Sequence, residues 1–204
     1  VICSDNRIND LLQVTPMTYE QALSRALIKI NKDDIPSSWK DAMISGRFKG
    51  SLMDYRKVPK KDCFIDRRKM EIENRDFTIE RIWSIGGETG WYYGDWLWSL
   101  RGFIDKLYGG VGSRRGRTNK HDIHSGDALD FWRVLYANKE EGKLILYAEM
   151  KLPGEAWLEF KIEGNYLYQT ATFRPTGIAG RLYWYAVMPF HWFVFNGMIN
   201  NINK

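Results

Sequence analysis

The side chains in this sequence best equipped for chemistry are two glutamates, three histidines and a basic, glycine-rich stretch. Glu149 and Glu159 flank the turn KLPGEA. Alternation along an extended chain puts Ile145, Tyr147 and Glu149 on one face of the first run. It puts Trp157, Glu159 and Lys161 on one face of the next. If the two faces coincide, two carboxylates and an indole lie together, as in an acid/base pair with one raised pKa. Two plainer readings are carboxylates bridging to Arg or Lys, with Leu158, Phe160 and Ile162 as the buried set, or a face that docks another domain. His191, in MPFHWFVF, is the one histidine in an aromatic context. Imidazole titrates near neutrality, so it is a candidate general acid or base, or else a hydrogen-bonded histidine of a helix. Glu149, Glu159 and His191 are thus the catalytic candidates, with no reaction assigned. His121 and His124, in HDIH, are spaced i,i+3, but a metal needs at least a third ligand and no metal site is expected.

The stretch DKLYGGVGSRRGRTNK, residues 105–120, invites a phosphate-cradle reading. A dinucleotide fingerprint needs G-x-G-x-x-G between a strand and a helix. Here Arg115 stands where the third glycine belongs, and the stretch follows a helical pattern. No G-x-x-x-x-G-K-[ST] occurs. The stretch reads better as a solvated loop whose glycines supply positive φ. Nucleic acid is not expected either, because no Trp or Tyr interleaves with the four cations of residues 114–120. The net charge of +5 resides wholly in residues 1–70, which carry 14 Lys+Arg against nine Asp+Glu, and the remainder is neutral.

Several elements must position these groups. TPMTYEQALSRALIKINKDD predicts a helix over about 18–31, with Thr18 as N-cap and Gln21 as its capping-box partner. Residues 47–69 hold nine basic and three acidic residues and read as a linker, so a domain boundary is drawn at 70/71. EIENRDFTIERIWSIGGETGWYYG reads as a strand entering a Gly-rich turn. DWLWSLRGFIDKLY has apolar residues at 97, 100, 103, 104, 107 and 108, a helical stripe capped by Asp95 and ended by Gly109. Four strand-like runs follow, DALDFWRVLYA, KLILYAEMKL, AWLEFKIEG and YLYQTATFRP, joined by turns carrying Gly, Asn or Pro. GRLYWYAVMPFHWFVFNGMINNINK closes the chain as a long apolar helix. Its residues 182–199 carry no Asp, Glu, Lys or Arg, enough length for a membrane span. Trp, Tyr and Phe dominate over Leu and Ile, and Pro189, His191 and Asn196 interrupt, so a core helix is expected instead.

The fold class expected is therefore α+β: a curved antiparallel sheet wrapped around a long C-terminal helix, with a cavity between them. Nine Trp, eleven Tyr and ten Phe suit the lining of such a cavity. Alternation in ALDFWRV puts Asp130 and Trp132 on one face and Leu129, Phe131 and Arg133 on the other. A buried Asp130 would need Arg115 or Arg133 as partner. Gln169 shares a face with Leu167, Ala171 and Phe173, as a ligand-orienting amide or a satisfied core group. Trp132, Gln169, Tyr183, Trp184 and His191 are the expected wall residues for a small hydrophobic molecule or lipid. Cys3 and Cys63 sit in no motif, which points to a reducing cytoplasm over a disulfide scaffold.

Five long segments carry a resemblance, in order: IWSIGGETGWYYGDWLWSLRGFIDKLYGGVGSRRGR, GDALDFWRV, AEMKLPGEAWLEF, QTATFRPTGIAGRLYWYAVMPFH and NGM. Over about residues 72–203 the chain closely resembles the uncharacterised-domain family numbered 2867. That family is similar to the START-type, polyketide-cyclase-like helix-grip superfamily, some of whose members are cyclases or dehydratases. PMTYEQALSRALIKINKDDIPSSWKDA looks like the linker found where this domain follows an atypical short-chain dehydrogenase with a Rossmann domain. The resemblance implies a helix-grip domain over 71–204 and, in 1–70, the remnant of an upstream Rossmann-like partner. NAD(P) would bind that partner, with no cofactor in this segment. It implies no catalytic residue. A binding module, a cavity-based enzyme and a structural docking domain all stay open.

Overall fold

The computed structural model describes residues 11, 13, 17–31, 55–107, 109–110, 116–117 and 122–204. The chain divides into two units, residues 1–36 and 37–204. In the first, helix α1 spans Tyr19–Asn31. Its start is closed reciprocally: the Thr18 amide donates to Gln21 Oε1 at 3.1 Å and the Gln21 amide to Thr18 Oγ1 at 3.2 Å. Two of the helix's orphan N-terminal donors gain partners in this way.

The second unit is α+β. Strand β1 (Phe64–Glu71) precedes helices α2 (Arg75–Trp83) and α3 (Asp95–Leu107). Strands β2 (Ala128–Leu129), β3 (Trp132–Asn138), β4 (Lys143–Ala148), β5 (Gly154–Glu163) and β6 (Tyr166–Pro175) follow, and helix α4 (Gly177–Ile202) comes last. The sheet is six-stranded, curved and antiparallel throughout, in the order β1-β6-β5-β4-β3-β2. A bulge between Val134 and Tyr136 breaks the β3–β4 register, a device that bends a strand. Gly164, at φ 56°, makes the two-residue β5–β6 turn.

Two elements differ from their sequence patterns. The sheet starts at Phe64, ahead of the composition change at 71. Along β1 half-buried and exposed residues alternate strictly, so its charges Arg67, Lys69 and Glu71 occupy the solvent side of an edge strand. The stretch after it is helical where a strand was expected. Asn74 caps α2 by accepting from the Phe77 amide at 3.0 Å, and the buried residues Thr78, Ile79, Ile82 and Trp83 repeat at helical spacing. The strand-favouring Ile, Thr, Phe and Trp are overridden by that cap and packing.

Each face of the sheet has its own core. On one, Leu144, Leu146, Leu158, Phe160 and Leu167 pack against α2 and the C-terminal half of α4, where Met198, Ile199 and Ile202 are buried. On the other, Leu135, Ile145, Tyr147 and Trp157 pack with Tyr55 and Val58. α4 lies across β6 and β1. It is covered on one side and not wrapped: Leu182, Tyr185, Met188, Trp192 and Phe193 are exposed. No helix among the described residues is long and apolar enough to cross a membrane.

Candidate functional site

A cavity of about 360 Å³ lies between α3 and α4, floored by Met150, Lys151 and Leu152 after β4. Its position differs from the expected one. The main space is between two helices, and only a small void of about 20 Å³ continues towards the sheet. Leu97, Trp98, Arg101 and Ile104 form the α3 wall, and Tyr183, Val187, His191 and Phe195 the α4 wall. Local sequence explains both. On α3 the lining residues fall at 97, 98, 100, 101, 104 and 105, one side of a helix. On α4 they fall at 183, 187, 190, 191, 194 and 195, a flank between the sheet-facing residues and the exposed ones. Leu100, Ile104 and Phe190 line the cavity while 47%, 46% and 56% exposed, so they form its mouth. The stripe on α3 thus faces cavity and solvent: Trp96, Phe103 and Leu107 continue it outward.

The end of α3 is fixed by the glycine-rich stretch. Gly109, at φ 71°, donates to the Lys106 carbonyl at 3.0 Å, and Gly110 donates to the Asp105 carbonyl at 2.8 Å. This is a helix C-cap. A side chain on Gly110 would meet the Asp105 carboxylate at 2.1 Å. That carboxylate, buried, accepts from the Lys151 amide at 2.6 Å and so ties α3 to the cavity floor. Most of residues 111–120, including Arg114 and Arg115, lies outside the described residues, as does His121.

Several buried polar atoms in and around the site have no hydrogen-bond partner among the described residues. Trp98 Nε1, Trp132 Nε1, His191 Nδ1 and both side-chain polar atoms of Gln169 are buried and unbonded. Gln169 sits on the inner face with Leu167, Ala171 and Phe173, beside Arg68 of β1 in register, but it lines neither the cavity nor the void. Arg68 is engaged, donating to Asn196 Oδ1 at 2.7 Å and Asp66 Oδ2 at 2.9 Å. Trp98 and His191 line both the cavity and the small void, and Trp132 lines the void. Trp184 also lines the void, stacked between Phe64 at 5.2 Å and Phe173 at 5.8 Å. His191 packs edge-on against Trp184 at 5.1 Å and Phe195 at 4.7 Å. Burial, helped by the positive charges of Arg101 and Arg68, lowers its pKa to about 3. Its imidazole is therefore neutral at physiological pH and offers one donor and one acceptor.

Sequence reasoning did not single out Arg101. This half-buried guanidinium lines both the cavity and the void. Among the described residues its one polar contact is Nε to Met150 Sδ at 2.9 Å, a weak acceptor. The signal lay in plain view: one cation on a helical face that is apolar but for Asp105.

The glutamate candidates lie elsewhere. Glu149 and Glu159 belong to the other face of the sheet, with Tyr147 and Trp157. Glu149 is fully buried and takes a two-pronged contact from Arg133, Nε to Oε1 and Nη2 to Oε2, both at 3.1 Å. Glu159 faces Lys143 at 3.5 Å. These contacts correspond to the bridging arrangement, and neither carboxylate lines the cavity.

Asp130 corrects the alternation drawn through it. At φ 53° it forms the β2–β3 turn, so Phe131 and Trp132 pack in the same core while Arg133 faces away. Its carboxylate accepts from Trp91 Nε1 at 2.9 Å and the Gly87 amide at 3.2 Å, while Arg133 pairs with Glu149 and Arg115 lies outside the described residues. Burial raises its pKa, opposed by those two donors and by Arg117. Its role is to lock the IGGETGW loop onto the hairpin. His124 lies 3.7 Å from both Asp122 and Asp127. Among the described residues no three His, Cys, Asp or Glu side chains gather as a metal site.

Residues 60–198 match the model of a family described as protein of unknown function (DUF2867). No curated protein matches the chain, and no solved structure does.

Proposed function

The chain belongs to the DUF2867 family, and from that premise we propose that it binds a small hydrophobic molecule or lipid in the cavity between α3 and α4. One observation carries this: an apolar space of about 360 Å³, reaching solvent through apolar side chains, with unpartnered polar atoms at its inner end. Ligand sites commonly have about 300–1,000 Å³, mostly apolar walls and a few polar groups that set orientation. Burying apolar ligand surface drives binding, and the inner polar atoms orient what enters. Tyr183, Trp184, His191 and Trp132 belong to this wall, whereas Gln169, expected there too, lines neither the cavity nor the void. In this reading the sheet and α4 form a helix-grip, START-like domain, in a cytoplasmic protein whose upstream Rossmann-like, NAD(P)-binding oxidoreductase region works on or hands over the ligand.

A neutral environment-sensitive dye such as Nile red tests the proposal. Saturable fluorescence enhancement is expected, and Val187→Trp, which fills the cavity, abolishes it while the fold is retained by circular dichroism. Unsaturable binding, or binding indifferent to Val187→Trp, sinks it.

A second reading rests on the exposed apolar side chains Trp96, Phe103, Leu107 and Trp192. Such a patch marks an interaction surface, and docking onto the nucleotide-binding oxidoreductase domain would cover it.

A further inference from the structure

We propose that the cavity's ligand is an anionic amphipath, an apolar chain ending in a carboxylate, and that Arg101 holds the carboxylate. The inference rests on the binding reading above and names its ligand class.

Indole N–H groups only donate, and a guanidinium only donates. Trp98 Nε1 and Trp132 Nε1 are buried without an acceptor, and Arg101 has only a thioether on its Nε. The site thus holds an excess of donors. An alcohol or an amide would bring donors of its own. An ionised carboxylate brings none and accepts through both oxygens.

Charge points the same way. Among the described residues no carboxylate pairs with Arg101, and α4 carries no Asp or Glu at all. Asp105, which also lines the cavity, is already bonded to the Lys151 amide. A cation half-removed from water without a counter-ion is costly, and a bound anion offsets that cost. The planar fork of arginine fits a carboxylate bidentately, and one free guanidinium matches one negative charge.

Position completes the case. Arg101, Trp98 and His191 line both the open cavity and the inner void, with Trp132 behind them. The donors are therefore gathered at the inner end, while Leu100, Ile104 and Phe190 form the mouth. A ligand would enter head first and leave its apolar chain along Leu97, Ile104 and Val187.

The test uses the full chain with Nile red bound, displaced by dodecanoate or by 1-dodecanol below their micelle concentrations at pH 7.5. Dodecanoate should displace the dye at about tenfold lower concentration or less, the scale of a charge-assisted hydrogen bond. Arg101→Gln should erase that advantage, so that dodecanoate displaces the dye no better than the alcohol does. Arg101→Lys, which keeps charge but loses the fork, should retain part of it, and Trp98→Phe should reduce it. Equal displacement by acid and alcohol on the wild type overturns the inference, as does an advantage that survives Arg101→Gln, and in both cases the cavity reading still stands. No saturable dye binding removes the cavity reading itself and this inference with it. The wild-type comparison decides the matter even if a variant fails to fold.

Discussion

Two arginines taken out of water, one on each side of the sheet, are treated in opposite ways. Arg133 is 1% exposed and fully engaged: Glu149 takes two of its nitrogens and the Gly126 carbonyl a third, at 2.7 Å. Arg101 has a thioether. The contrast extends to their neighbours. On the Arg133 side Trp157 Nε1 finds the Tyr55 carbonyl at 3.1 Å, whereas Trp98 and Trp132 find nothing. Donors closed by the protein itself make structure. Donors left open beside a cavity await a partner from outside.

The sharpest way to break this comparison is to remove Glu149. Glu149→Ala leaves the Arg133 charge buried and uncompensated, and should cost about 3–5 kcal/mol in urea unfolding. Removing both charges, as Arg133→Met with Glu149→Leu, should restore much of that loss. A cost below about 1 kcal/mol for Glu149→Ala would mean the pair is not a closed structural unit.

His191 gives the next largest effect, through pH. Its imidazole takes a proton near 6.5 when the chain is unfolded but only near 3 when folded. Between those values the unfolded state binds more protons, so stability falls as pH drops below about 6.5 and is untouched above it. At pH 5 the loss should be about 2 kcal/mol. His191→Phe should remove that share of the pH dependence, read as the difference between variant and wild type in urea midpoints at pH 7.5 and pH 5. Parallel pH profiles would place His191 in contact with water or an acceptor.

The smallest expected effect is also the most specific. Gln169→Met replaces a buried amide that has no partner with an apolar chain of similar shape. It should stabilise the ligand-free protein by about 1 kcal/mol, seen as a higher urea midpoint. Destabilisation would show that the amide is satisfied in solution and belongs with the closed side of the sheet.

Much of this was legible in local patterns. The capping box at Thr18 and Gln21, the strands β4 to β6 and the extent of α4 follow from spacing and turn residues. Tyr183 and His191 line the cavity and Trp132 and Trp184 the inner void, because aromatic side chains flanking a sheet-facing stripe have few other places to go. α2 was obscured, since a nine-residue helix rich in β-branched and aromatic residues imitates a strand. The reading of Asp130 failed because one residue at positive φ resets the alternation.

The sequence by itself determined the periodicities: which residues extend, which coil, and which share a face within one element. Those are local properties, set by neighbours a few positions apart. Only the tertiary structure decided that Arg133 meets Glu149 while Arg101 meets no carboxylate among the described residues, and that a cavity opens between α3 and α4. Such outcomes depend on where elements far apart in the chain come to rest. Packing across those separations selects which polar groups close on each other and which stay open.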